Sequence, residues 1–145
     1  MGSLVLAYPM IKHLMDRYPD SKLNILVFEQ NREVVELLDA IKGENTLTIR
    51  DDSFAHFFFD SIKIIRKLRR IQLDAVIDCE LFSRASSLLS YLSGALIRSG
   101  FHPYTQEGLY RGNFINRPVL YNPYLHISQQ FLNLAYALEI NTVPN

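Results

Sequence analysis

Apolar residues over the first twenty positions recur at three- and four-residue spacing, at Leu4, Ala7, Ile11, Leu14, Met15 and Tyr18. That period puts them on one side of an α-helix. Pro9 falls inside the run and removes a ladder hydrogen bond, which predicts either a kink near Leu6 or a helix that begins at Tyr8. The turn Tyr18-Pro19-Asp20 closes it. Over 22–28 alternation gives way to Ile25, Leu26, Val27 and Phe28, the pattern of a central strand, with Glu29, Gln30 and Asn31 at its carboxyl end. The helical period resumes over 32–41 through Val34, Val35, Leu37, Leu38 and Ile41, and a Gly43-containing turn leads into a short strand over 46–49. Ser53 stands where it can cap a long helix with the stripe Phe54, Phe57, Phe58, Ile62, Ile65 and Leu68, and Lys63, Arg66, Lys67, Arg69 and Arg70 decorate the rest of that helix.

The stretch 73–101 organises the remainder. Ala75, Val76 and Ile77, enclosed by Asp74 and Asp78, form a short apolar run that suits a strand covered on both faces. Ser83 and Arg84 open a helix carrying Leu88, Leu89 and Leu92 at helical spacing, Gly94 stops it, and a second strand over 95–98 leads to Ser99 and Gly100. A long segment rich in Pro, Gly, Asn, Tyr and Arg follows, with a short strand within 114–120, and His126 precedes a final helix with Ile127, Phe131, Leu134, Ala135 and Leu138 on its inner side. Strands alternating with helices predict an α/β fold, a Rossmann-like open parallel sheet flanked by helices. Ligands of such sheets collect beyond the carboxyl ends of the strands, which directs attention to 80–84 and 100–111.

Composition narrows the partners. With 145 residues and 48% apolar content the chain suffices for one domain with its own core. Fifteen basic and fifteen acidic residues cancel, which argues against a nucleic-acid binder held by phosphate neutralisation. The single Cys79 sits in the apolar stretch and reads as a core thiol of a reducing compartment. No run reaches the roughly 20 apolar residues that span a bilayer, so the expected location is cytoplasmic. The basic helix over 63–70 fits either a solvated face or a contact with an anionic membrane surface. Gly-rich phosphate loops, the dinucleotide fingerprint and metal-ligand spacing are all missing from the sequence, so no cofactor is expected. The first helix lacks the preceding strand that every later helix has, which predicts an absent first strand.

Six pieces in a fixed order resemble a known family: Gly2-Ser3 ahead of a helix with Pro9, the strand from Asp74 to Asp78, Arg84-Ala85-Ser86, Ser93-Gly94-Ala95, Ser99-Gly100-Phe101, and the helix led by His126. Together they resemble the N-terminal half of the family 9 glycosyltransferases, the ADP-heptose:lipopolysaccharide heptosyltransferases. The resemblance implies one of the two Rossmann-like domains of the GT-B arrangement, with 1–145 as the acceptor-side domain and the C-terminal donor-binding domain absent. It further implies a nucleotide-sugar donor, a lipopolysaccharide-type glycolipid acceptor and peripheral placement at an inner membrane through Lys63, Arg66, Lys67 and Arg70. The family's aspartate after the glycine acts as general base; Ser3 stands there, and a neutral hydroxyl is a poor proton acceptor. Glu80 is the first replacement candidate. Gly2, Arg84, Tyr110 and Arg111 are the expected acceptor-binding residues, the arginines because a guanidinium fork grips carboxylate or phosphate at two points. A non-catalytic module that binds an anionic sugar or lipid head group is the alternative.

Overall fold

A computed structural model of the chain describes residues 2–38, 43–81, 83–102 and 112–139. It divides into two compact units, Met1–Ile64 and Ile65–Asn145.

The first unit opens with α1 (Gly2–Arg17), which buries Leu4, Ala7, Met10, Ile11 and Leu14. Met15, expected on that side, is exposed instead, and Met10 takes its place. Neither expected break occurs, because α1 runs continuously past Pro9. Val5, Tyr8 and Pro9 all face solvent, so the carbonyl that proline leaves without an amide lies on the side where water can satisfy it. α1 ends at Arg17, and the Tyr18 N–H still reaches the Leu14 carbonyl (2.9 Å) before Pro19 stops the ladder.

β1 (Ile25–Phe28) pairs in parallel with β2 (Thr46–Ile49), Ile25 opposite Thr46 and Phe28 opposite Ile49. A 3-10 turn over Glu29–Asn31 and the helix α2 (Arg32–Leu37) connect them. Of the five apolar positions expected to pack this helix, Val35 is buried, whereas Leu37 is 84% exposed; Ile41 and the rest of 39–42 lie outside the described residues. The expectation of a central strand over 22–28 is corrected: β1 is a border strand of a two-stranded sheet, and Ile25 to Val27 are only half-buried. α3 (Phe54–Ile71) begins after Ser53, whose carbonyl accepts the Phe57 N–H at 2.9 Å. Its buried residues are Ile64 and Leu68, while Phe54 and Phe58 are exposed, so the inner stripe is rotated from the expected one.

The second unit holds a three-stranded parallel sheet in the order β3 (Ala75–Asp78), β4 (Ile97–Phe101), β5 (Arg117–Val119). α4 (Arg84–Leu92) joins the first two strands, and α5 (Ile127–Glu139) follows the third. Ala75 to Ile77 are half-buried, less than a strand covered on both faces, because β3 is a border strand here as well. The second strand begins two residues later than expected and includes Ser99, Gly100 and Phe101, all buried. Gly94, in left-handed conformation at φ +86°, stops α4 as predicted. Phe131, Leu134 and Ala135 of α5 are buried as expected, joined by Ala137 and by the side chain of Gln130. Ser99 donates to the Leu134 carbonyl at 2.7 Å, a buried polar bond between β4 and α5. His126 caps α5: its Nδ1 accepts the Ser128 N–H at 3.3 Å, and its carbonyl takes the N–H groups of Gln129 and Gln130.

Candidate functional site

In the second unit the carboxyl end of β3 is built around one buried carboxylate. Asp78 is 5% exposed. Its Oδ1 accepts the Glu80 N–H at 3.1 Å, and its Oδ2 accepts the hydroxyls of Ser86 at 3.0 Å and Ser87 at 3.2 Å. Ser83 caps α4 by accepting the Ser86 N–H at 3.2 Å, and Ser86 also donates to the Ser83 carbonyl at 3.0 Å. Strand end, loop and first helical turn are thus tied together by side chains that a helix start requires anyway. A buried acceptor this fully used holds backbone in place.

Glu80 and Arg84 emerge from this support into solvent, one on each side of Ser83. Two of the expected site residues thus flank the anchored strand-to-helix junction, Glu80 just after β3 and Arg84 as the first residue of α4. Cys79 lies between Asp78 and Glu80, and burial, aided by those two carboxylates, pushes its thiol up to about 12. Cys79 is half-buried rather than in the core that the sequence predicts, and the raised thiol disfavours a thiolate near neutral pH.

The end of β4 lies beside that loop, because Asp78 pairs with Gly100 across the sheet. A Cβ on Gly100 would stand 3.0 Å from the Ile115 side chain and 3.4 Å from Asp78 Cβ, so any larger residue there requires Ile115 to give way. Arg98 fixes this segment from below. Its Nε donates to the Phe114 carbonyl at 2.7 Å, its Nη1 to the Ala95 carbonyl at 2.6 Å, and its guanidinium lies over the Tyr91 ring at 5.4 Å. Tyr110 and Arg111, the other expected site residues of this unit, lie outside the described residues, as does Tyr104.

Gly2 and Ser3 belong to the first unit and form the opening turn of α1. Ser3 is therefore inside the helix rather than at a cap ahead of it. The first unit also carries a polar constellation that the sequence reading passed over, at the carboxyl ends of β1 and β2. Gln30 donates to Asp51 at 3.2 Å. Arg50 grips Asp60 with Nε at 2.8 Å and Nη2 at 2.9 Å, and the Arg50 N–H reaches the same carboxylate at 3.2 Å. His56 Nδ1 meets Asp52 at 2.9 Å. The hydrogen bonds from Arg50 hold Asp60 down to about 2, and the bond to His56 lowers Asp52. The sequence signals were the i, i+4 spacing of Asp52 and His56 and an arginine directly after an apolar strand. These groups satisfy one another and join the strand ends to the first turns of α3.

No family model matches the sequence. No curated protein matches it either. In three dimensions the chain is similar to the crystal structure of a glycosyl transferase family 9 protein from Veillonella parvula DSM 2008, with a TM-score of 0.78 and 16% identity over 99% of this chain and 40% of that one. The resemblance read from six short sequence pieces thus has a counterpart in the fold, an α/β arrangement of parallel strands flanked by helices. The chain spans 40% of the length of that protein.

Proposed function

We propose that this chain is the acceptor-side part of a glycosyltransferase that moves a sugar from a nucleotide-sugar donor, ADP-heptose by the family resemblance, onto a lipopolysaccharide-type acceptor at the cytoplasmic side of an inner membrane. The observation that carries this reading is the fold likeness to a family 9 glycosyl transferase over nearly the whole chain. A second domain supplies the donor site. In the transfer, a carboxylate takes the proton of an acceptor hydroxyl, the freed oxygen bonds to the anomeric carbon, and the bond to the departing nucleoside diphosphate breaks. With a serine at position 3, Glu80 is assigned the proton-accepting role, supported by its exposure on a loop that Asp78 anchors. Arg84, four residues on and also exposed, is assigned to an anionic group of the acceptor, and the family resemblance assigns Gly2, Tyr110 and Arg111 to the acceptor as well.

The test is sugar transfer from ADP-heptose by the longest natural reading frame that contains this chain. Arg84→Ala is expected to raise the acceptor KM, and Glu80→Gln to lower kcat by about 100-fold or more, the usual scale for a lost general base. Normal turnover by both variants would overturn the residue assignments, and normal turnover with Arg84 and Arg111 both replaced would remove the site altogether. The serine in place of the family's aspartate favours a second reading, a non-catalytic module for an anionic saccharide. Calorimetric binding of acceptor fragments without turnover in that same reading frame would select it.

A further inference from the structure

Within the unit Ile65–Asn145, α4 reverses the common amphipathic arrangement: it buries hydroxyls and turns apolar side chains outward. Ser87 and Ser90 are its buried residues. Ser90 donates to the Ser86 carbonyl at 2.9 Å, and Ser93, just past the helix, donates to the Ser90 carbonyl at 2.6 Å. On the outward side Arg84, Leu88 and Tyr91 follow one another at spacings of four and three residues, which aligns them along the helix. Leu88 is 42% exposed and Tyr91 50%.

The Tyr91 ring is fixed in place although it is half exposed. The Arg98 guanidinium lies over it at 5.4 Å, and the Phe114 ring lies beside it at 5.3 Å, tilted by 41°. Arg98 is itself tied to the Phe114 and Ala95 carbonyls, and its N–H donates to the Asn116 side chain at 2.8 Å. A Cβ on Gly112 would press on Phe114 at 2.9 Å, so the main chain at Gly112 packs on that ring. An aromatic ring held this firmly loses little freedom when a ligand lies on it. Its flat side suits the C–H side of a sugar ring, and its hydroxyl can exchange hydrogen bonds with sugar hydroxyls. Over 81–106 the sequence has no carboxylate, and Arg84 and Arg98 stand at the two ends of the stripe, which suits an anionic partner. Two arginines, one of them committed to carbonyls, are too few to hold the chain on a bilayer or a nucleic acid.

We infer that the outward side of α4 is an extended subsite for a saccharide acceptor. Arg84 takes an anionic group of that acceptor, and Tyr91, seven residues and about 10 Å along the helix, stacks on a sugar ring further along the same molecule. Leu88 lies against the C–H groups between them. The subsite rests on the transferase reading, with which it shares Arg84.

The experiment measures sugar transfer from ADP-heptose by the longest natural reading frame that contains this chain, to a deacylated lipopolysaccharide fragment and to that fragment trimmed to one acidic sugar. The wild type is expected to take the longer fragment with a KM about tenfold lower, the scale of one stacked ring. Tyr91→Leu, which keeps apolar bulk but removes the ring, is expected to bring the two KM values together, and Tyr91→Phe to keep them apart. Leu88→Asp, at an exposed position, is expected to narrow the gap by repelling the anionic chain, and it decides the matter if a circular dichroism melt shows that Tyr91→Leu does not fold. Where no sugar is transferred, calorimetric Kd values for the same two fragments are expected to show the same split. Equal values for the two fragments in the wild type, an unchanged gap in both variants, or a concentration-dependent dimer that Tyr91→Leu dissolves would each overturn the subsite. Unaltered KM for both fragments in Arg84→Ala would overturn the acceptor reading itself, and the subsite with it.

Discussion

The two units place polar side chains at the same kind of position, the carboxyl end of a parallel strand, yet surround them with different amounts of water. After β3, Asp78 is buried and its bonds run to a backbone N–H and two serine hydroxyls. After β2, Arg50 and Asp60 form a two-point ion pair in which the arginine side chain is 47% exposed. A buried acceptor with three donors is costly to remove, because the strand end, the loop and the first helical turn lose the group that joins them. An exposed pair is screened by solvent and salt, however good its geometry. The first arrangement fixes a loop; the second biases one.

The sharpest way to break this contrast is Asp78→Ala, which takes away the acceptor shared by the Glu80 N–H and the Ser86 and Ser87 hydroxyls, leaves both hydroxyls to the Ser83 carbonyl, and is expected to cost about 3 kcal/mol in urea unfolding. A cost below that of an ordinary surface substitution would mean that the buried network does not organise the loop. Gly100→Ala comes next, at about 2 kcal/mol from overpacking against Ile115, with Gly43→Ala, where an added Cβ meets nothing within 4 Å, as the neutral control. In the first unit the effect is expressed through pH. Asp60 is held at about 2 against an ordinary 3.8, a depressed carboxyl, so its contribution is fully present above 3.8 and disappears as the pH falls through about 2. The stability difference between the wild type and Asp60→Asn should therefore be flat at neutral pH and shrink over that acid window, and it should shrink with added salt as well. The smallest expected effect is at Gln72, a residue other than glycine at φ 56° just past α3. Gln72→Gly removes the left-handed strain and is expected to raise stability by about 0.5 kcal/mol after the entropy of glycine is offset.

Helices and strands were legible where one period dominated. Thr46 to Ile49 and Arg84 to Leu92 fall where the sequence placed them, and Gly94 ends its helix for the reason expected. The rotated stripe of α3 was not legible, because phenylalanine at Phe54 and Phe58 satisfies a hydrophobic count wherever it points. Periodicity likewise marked β1 and β3 as covered strands, since an apolar run carries no information on whether a neighbour pairs with its edge. Of the candidate site, the break after an apolar strand directed attention to Glu80 and Arg84, and both are exposed, one just after β3 and the other at the start of α4. Their support was not found, because a short Ser-Arg-Ala-Ser-Ser run resembles any helix start until Asp78 is seen beneath it.

Gln130 is fully buried, and its amide grips the main chain of Asn122 from both sides, accepting the N–H at 3.2 Å and donating to the carbonyl. A side chain of α5 thereby supplies, for a residue beyond the end of β5, the donor and acceptor that a paired strand would offer. The Asn122 amide proton should accordingly trade with deuterated solvent as slowly as protons deep in the helix, and only when α5 lifts. A Gln130→Leu chain, similar in bulk, would release that proton within seconds while the rest of α5 stayed protected.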